Sequence, residues 1–131
     1  MSAPRIEIDL DKIFHNAKTL VSRLKTHGIS VSGVTKACCG APQLARVLVR
    51  AGVVSLADSR IENIERIRKA GIDTSITLIR TPMISQVDRI IAAADISLNT
   101  EPDVIRALSV AACNAGKQHG IILMVELGDL R

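Results

Sequence analysis

Lys36 closes an apolar run at residues 31–35, and the small residues Ala37, Cys38, Cys39 and Gly40 follow it. A lysine held at the end of a buried strand is poorly solvated. Loss of solvation disfavours the ammonium form, lowers the pKa and makes the amine a nucleophile toward aldehydes. An isolated lysine in such a place more often caps the strand and snorkels to water. Lys36, however, is the first member of a series. Four further apolar runs, at residues 53–57, 75–79, 96–98 and 121–125, end at Asp58, Arg80, Asn99 and Glu126. The steps from Lys36 to Asp58 and from Asp58 to Arg80 are both 22 residues, and the next two are 19 and 27. Short β-rich runs at that spacing, with helical pattern between them, predict repeated βα units and a parallel sheet. The polar residues then line the edge formed by the strands' carboxyl ends, where α/β folds place their active sites.

The helices that must hold this edge are well signalled. Residues 11–27 carry Ile13, Phe14, Ala17, Leu20, Val21 and Leu24 at near-helical spacing, and Gly28 supplies a stop. Pro42 suits the first turn of a helix that runs to Ala51 and ends at Gly52. Ser59 with Glu62 predicts a capping box for a helix that stops at Gly71. Residues 84–94 place Ile84, Val87, Ile90, Ile91 and Ala94 on one face. Thr100 with Asp103 predicts the start of a last helix that tolerates Pro102 early and ends near Gly116. No linker, charge block or low-complexity tract interrupts the chain, so residues 1–131 read as one continuous domain segment.

Composition narrows the class. A hydrophobic content of 47% and a mean hydropathy of +0.28 suit strands buried on both faces. No apolar stretch approaches a membrane span and the first residues lack a signal peptide's apolar segment, so a cytoplasmic protein without a membrane partner is expected. Cys38 and Cys39 are adjacent and Cys113 is distant, which points to reduced thiols and no metal site. The net charge of +4 is spread along helices that alternate acid and base. With one phenylalanine and no tyrosine or tryptophan, the chain has no platform for stacking bases, and no nucleic-acid partner is expected. Neither a dinucleotide fingerprint nor a P-loop is present, and Ser59 lacks a nucleophile elbow.

Two segments carry a resemblance: Arg5-Ile-Glu-Ile-Asp-Leu-Asp-Lys-Ile-Phe-His-Asn16 and Val31-Ser-Gly-Val-Thr-Lys36. Together they resemble the opening of the fold-type III pyridoxal-phosphate enzymes, the alanine racemase N-terminal-domain family. The segments Leu56-Ala-Asp-Ser-Arg-Ile-Glu-Asn63, Arg80-Thr-Pro-Met-Ile-Ser85, Ala94-Asp-Ile-Ser-Leu-Asn99 and Leu123-Met-Val-Glu-Leu-Gly-Asp-Leu-Arg131 are most similar to its ornithine racemase branch. The resemblance implies an α/β fold, the first part of a (β/α)8 barrel with about five βα units and parallel strands. It implies pyridoxal 5'-phosphate held as a Schiff base on Lys36, and racemisation of ornithine or another basic amino acid by removal of the α-proton. It also implies a role for Arg131 beside the cofactor, and a partner subunit. Five strands of an eight-stranded barrel leave two open sheet edges, near residues 31–35 and 121–125, so a homodimer or higher self-association is expected. Asp58, Arg80 and Asn99 are candidates for lining the site by position.

The chain also departs from that family. A complete barrel takes about 250 residues, whereas this chain stops at Arg131, just past the fifth run. Family members hold the cofactor phosphate with loops of later strands and take a second acid/base, a tyrosine, from a C-terminal β domain. Met124 stands where alanine racemases have a lysine. A non-enzymatic pyridoxal-phosphate homeostasis protein and an inactive, truncated racemase therefore stay open beside the racemase.

Overall fold

The computed structural model describes residues 4–128. Five strands alternate with helices in chain order. They are β1 (Ser32–Val34), β2 (Ser55–Asp58), β3 (Ser75–Leu78), β4 (Ile96–Asn99) and β5 (Gly120–Leu123). The helices are α1 (Leu10–Lys25), α2 (Pro42–Ala51), α3 (Ile61–Lys69), α4 (Val87–Ala93) and α5 (Pro102–Asn114). One-turn 3-10 segments at Lys36–Cys38 and Ile84–Gln86 complete the description. All neighbouring strands are parallel and their spatial order is their chain order, β1 to β5. Consecutive crossovers of one hand put all connecting helices on one face of such a sheet, which is how a (β/α) barrel begins.

Alternation along the strands then decides what each residue meets. Gly33, Leu56 and Ile76 form one register row. A Cβ on Gly33 would lie 3.0 Å from Leu48 Cδ1 of α2, so this row faces the helices. Leu56 and Ile76 are fully buried there against Ile61, Ile64 and Ile67 of α3 and Ile90 of α4. Each such side chain contributes about 2 kcal/mol of hydrophobic stabilisation. The intervening row of Val34, Ala57, Thr77 and Ile96 lies on the opposite face. No helix covers that face among the described residues.

Helix boundaries follow local chemistry closely in α1 and α2. Asp9 caps α1 by accepting from the Asp11 and Lys12 amides at 3.1 and 3.0 Å. Pro42 opens α2, and Gly52 closes it at φ 99°. Two expected caps do not form. Helix α3 starts at Ile61 with Arg60 in the extended region before it, and Asp58 rather than Ser59 accepts the Arg60 amide, at 3.0 Å. Glu62 turns instead to Arg89, 3.1 Å away. A buried carboxylate beside the helix start outcompetes a half-buried hydroxyl for the free amide. Thr100 and Asp103 likewise do not cap α5: Thr100 Oγ1 lies 3.3 Å from Thr81 Oγ1, and Asp103 pairs with Arg106.

Strands β1 and β5 are the sheet's two edges. Every residue of β5 is exposed, and Met124, Val125 and Leu127 extend the apolar surface beyond it. A groove of about 530 Å3 between α5 and β5 is lined by Ile105, Leu108, Ala112 and Ile121 among others.

Candidate functional site at the carboxyl edge

Lys36 lies just past the carboxyl end of β1, as the first residue of the 3-10 turn Lys36–Cys38. Its side chain is exposed and makes no hydrogen bond or ion pair among the described residues. The poorly solvated strand-end amine expected from the sequence is therefore corrected to a solvent-facing one. The reason is geometric: β1 is an edge strand only three residues long, and the described polypeptide puts nothing over its end.

Beneath the turn the packing is tight. Thr35 and Asp58 are both fully buried. The Thr35 hydroxyl donates to Asp58 Oδ2 at 2.7 Å. Asp58 Oδ1 accepts from Asn63 Nδ2 at 2.9 Å and from the Arg60 amide at 3.0 Å. Asp58 thus faces the helix layer, in register with Leu78, and does not reach the open face of the sheet. Three donors, one just past β1 and two at the start of α3, compensate its burial, since a carboxylate without such donors would be costly to hide. Cys38, half-buried beside this network, has its thiol pKa pushed up, first by burial and then by the charge of Asp58. It is not an activated nucleophile.

Asn99 also ends its strand, fully buried. Its Nδ2 donates to the carbonyl and the hydroxyl of Ser97, both at 2.9 Å. Ser97 Oγ in turn lies 2.8 Å from His119 Nε2, and His119 Nδ1 lies 3.2 Å from the Ala94 carbonyl. The carbonyl requires the proton on Nδ1, which leaves Nε2 to accept from Ser97. Burial holds this imidazole below its ordinary pKa of 6.5, against the upward pull of the Ala94 carbonyl and Asp95. Asn99 Oδ1 has no hydrogen-bond partner among the described residues.

Arg80 is exposed past β3 and borders a cleft of about 180 Å3 together with Ser59, Arg60, Glu62 and Thr81. Glu62 is committed to Arg89, while neither Arg60 nor Arg80 has a side-chain partner among the described residues. Two unpaired guanidiniums at a strand-end cleft suit an anionic group. Arg131 lies outside the described residues. Lys36, Asp58, Arg80 and Asn99 thus share one edge, but Asp58 and Asn99 act within the helix-facing layer. Thr35, Asn63 and Gly40, which shape the lysine's turn, carried no signal of their own beyond the small-residue run after Lys36. Among the described residues no group of three or more His, Cys, Asp or Glu side chains converges, and no helix is long and apolar enough to cross a membrane.

Comparison with known proteins identifies the family and the fold. Residues 8–131 match the family described as alanine racemase, N-terminal domain. The chain is 36% identical to the lysine racemase of Thermotoga maritima over 131 residues, all of this chain and 37% of that protein. It is 36% identical to the ornithine racemase of Acetoanaerobium sticklandii over 128 residues, 98% of this chain and 36% of that protein. It therefore spans little more than a third of the length of these curated relatives. Among solved structures it is similar to the D-threonine aldolase from Filomicrobium marinum, with a TM-score of 0.87 at 20% identity, covering 99% of this chain and 36% of that one. The alanine racemase from Streptomyces coelicolor A3(2) superimposes with a TM-score of 0.81 at 22% identity, over 95% of this chain and 34% of that one. Those two likenesses establish the fold.

Proposed function

We propose that this chain, which belongs to the alanine racemase N-terminal-domain family, supplies the lysine-bearing part of a cytoplasmic, pyridoxal-phosphate-dependent racemase of basic amino acids. Lys36 carries the reading: it is a primary amine, solvent-facing and without a partner, at the carboxyl end of the first barrel strand. The relatives' substrates, lysine and ornithine, support the substrate class. The free thiols of Cys38, Cys39 and Cys113 support a reducing compartment.

The residues present fit the cofactor. An accessible amine suits its aldehyde, and the unpaired Arg60 and Arg80 suit its anionic part or the substrate carboxylate. When bound, pyridoxal phosphate draws electron density away from the α-carbon of an attached amino acid. Lys36 Nζ would hold the cofactor and, when free and unprotonated, would take or return the α-proton on one side of that carbon. Arg80 is proposed to orient the anion.

The test is chemical. Adding pyridoxal phosphate to the full-length protein should give absorbance at the edge of the visible range, and borohydride should then fix the cofactor on the peptide that contains Lys36. Label on another lysine, or none on folded protein, would sink the assignment. A label on Lys36 without any racemisation of lysine or ornithine would favour a cofactor-binding protein instead.

We also infer self-association of the 131-residue chain. Strands β1 and β5 present unpaired backbone, and Ile121, Ile122, Leu123 and Val125 expose apolar surface next to the second of these edges. Such edges recruit another strand. Light scattering over a concentration series should show mass rising with concentration; a monodisperse monomer with one sharp melt would contradict it.

A further inference from the structure

We propose that Thr35, Asp58 and Asn63 form a buried brace that sets the position of the Lys36 amine, with Thr35 and Asn63 acting as positioning residues. The proposal rests on the reading of Lys36 given above.

The turn that carries Lys36 has little apolar anchorage. Lys36, Ala37 and Cys39 are exposed and Cys38 is only half-buried. The ties to the sheet run mainly through the residue just before the lysine. The Thr35 amide donates to the Ala57 carbonyl at 2.9 Å, which continues the β1–β2 ladder by one bond. The Thr35 carbonyl accepts from the Cys38 and Gly40 amides at 3.1 and 3.2 Å, which closes the turn. The Thr35 hydroxyl reaches Asp58. One residue therefore couples the lysine's turn to its neighbouring strand and, through Asp58, to the first turn of α3.

Two further contacts hold the far side of the turn to the same helix. Gly40 lies so close to Asn63 that a Cβ on it would sit 2.6 Å from Asn63 Cβ and 2.9 Å from Asn63 Cα and O. Arg66 Nη1 donates to the Cys39 carbonyl. Asn63 is thus both the packing wall for Gly40 and a donor to Asp58.

Stability by itself does not account for this arrangement. A buried charge with its hydrogen-bond partners is generally no more stabilising than apolar side chains of the same volume. What a fully satisfied polar network adds is a single geometry. The flexible lysine side chain starts one residue from that network, so a small rotation at Thr35 displaces Nζ. Reacting groups tolerate little displacement: about 1 Å can cost on the order of a hundredfold in rate.

The experiment compares Thr35→Val, which keeps the shape and deletes the hydroxyl, with Thr35→Ser, which restores it. Leu108→Ala on α5, 1% exposed and remote in the fold from the lysine's turn, serves as a control for lost stability. Each full-length variant is titrated with pyridoxal phosphate, followed by visible absorbance and by the yield of borohydride-fixed label on Lys36; melts are recorded alongside. Thr35→Val should lose about tenfold or more in cofactor affinity or label yield, Thr35→Ser should recover most of it, and Leu108→Ala should melt earlier yet label normally. Equal labelling by Thr35→Val and wild type would overturn the brace, and so would a loss matched by Leu108→Ala at equal melting temperature. If Thr35→Val does not fold, Asn63→Ala keeps the Cβ beside Gly40, removes only the donor to Asp58, and is judged by the same comparison. Absence of label on the wild type would instead overturn the reading of Lys36 itself.

Discussion

Replacing Lys36 by alanine is expected to abolish exchange of the α-proton of lysine or ornithine with solvent deuterium in the full-length protein. The substitution removes the group proposed to hold the cofactor and, with it, one proposed proton acceptor. The fall in kcat/KM should be at least about 10⁴-fold. Exposure makes the test clean. Lys36 is solvent-facing and unpartnered, so its loss should change stability by no more than about 0.5 kcal/mol. Lys36→Arg, which keeps a charge but offers no free primary amine, should be equally inactive. Proton exchange by mass spectrometry, set beside a thermal melt, separates chemistry from folding. Robust exchange by the alanine variant would refute the role of Lys36, and inactivity accompanied by unfolding would mean that its exposure has been misjudged.

The largest effect on stability is expected at Gly40. Its φ of +63° lies in the left-handed region, and an added Cβ would meet Asn63 Cβ at 2.6 Å and its backbone at 2.9 Å. Alanine there combines backbone strain of about 1 kcal/mol with overpacking of about 1–3 kcal/mol, because the obstructing atoms include backbone and cannot rotate away. Gly40→Ala should therefore cost about 3 kcal/mol and lower the melting temperature by roughly 10 °C. Gly28 provides the comparison. It has φ of +71°, and a Cβ added there would meet nothing within 4 Å, so Gly28→Ala should cost only about 1 kcal/mol. Denaturant unfolding of both variants would decide the matter, and equal costs would mean that the Gly40–Asn63 approach is not tight in solution. Gly40→Ala should also weaken label formation at Lys36, since the clash falls on the turn that carries it.

Much of the architecture was legible in the residues. The five apolar runs became the five strands, with ends moved by one or two positions, because a short β-branched run between turn residues has few alternatives. Helix α2 spans Pro42–Ala51, bounded as its proline and following glycine require. The polar residues gathered on one edge because parallel strands in sequential order align their carboxyl ends. These features follow from short-range sterics and periodicity, which each segment carries within itself.

The direction of side chains across that edge was decided by the tertiary structure. Where both faces of a parallel strand are apolar, alternation does not mark which face meets the helices. Asp58 and Asn99 were therefore readable as strand-end residues but not as members of the helix-facing layer. Their partners are set by strand register and helix docking: Thr35 meets Asp58 across the β1–β2 register, and Asp58 meets Asn63 only because α3 returns over β2. Solvation of Lys36 was likewise a property of what covers the end of β1, not of the residues beside it in sequence. Local sequence determined that a lysine closes the first strand; only the packed fold decided what holds that lysine in place, since those partners lie more than twenty residues away along the chain.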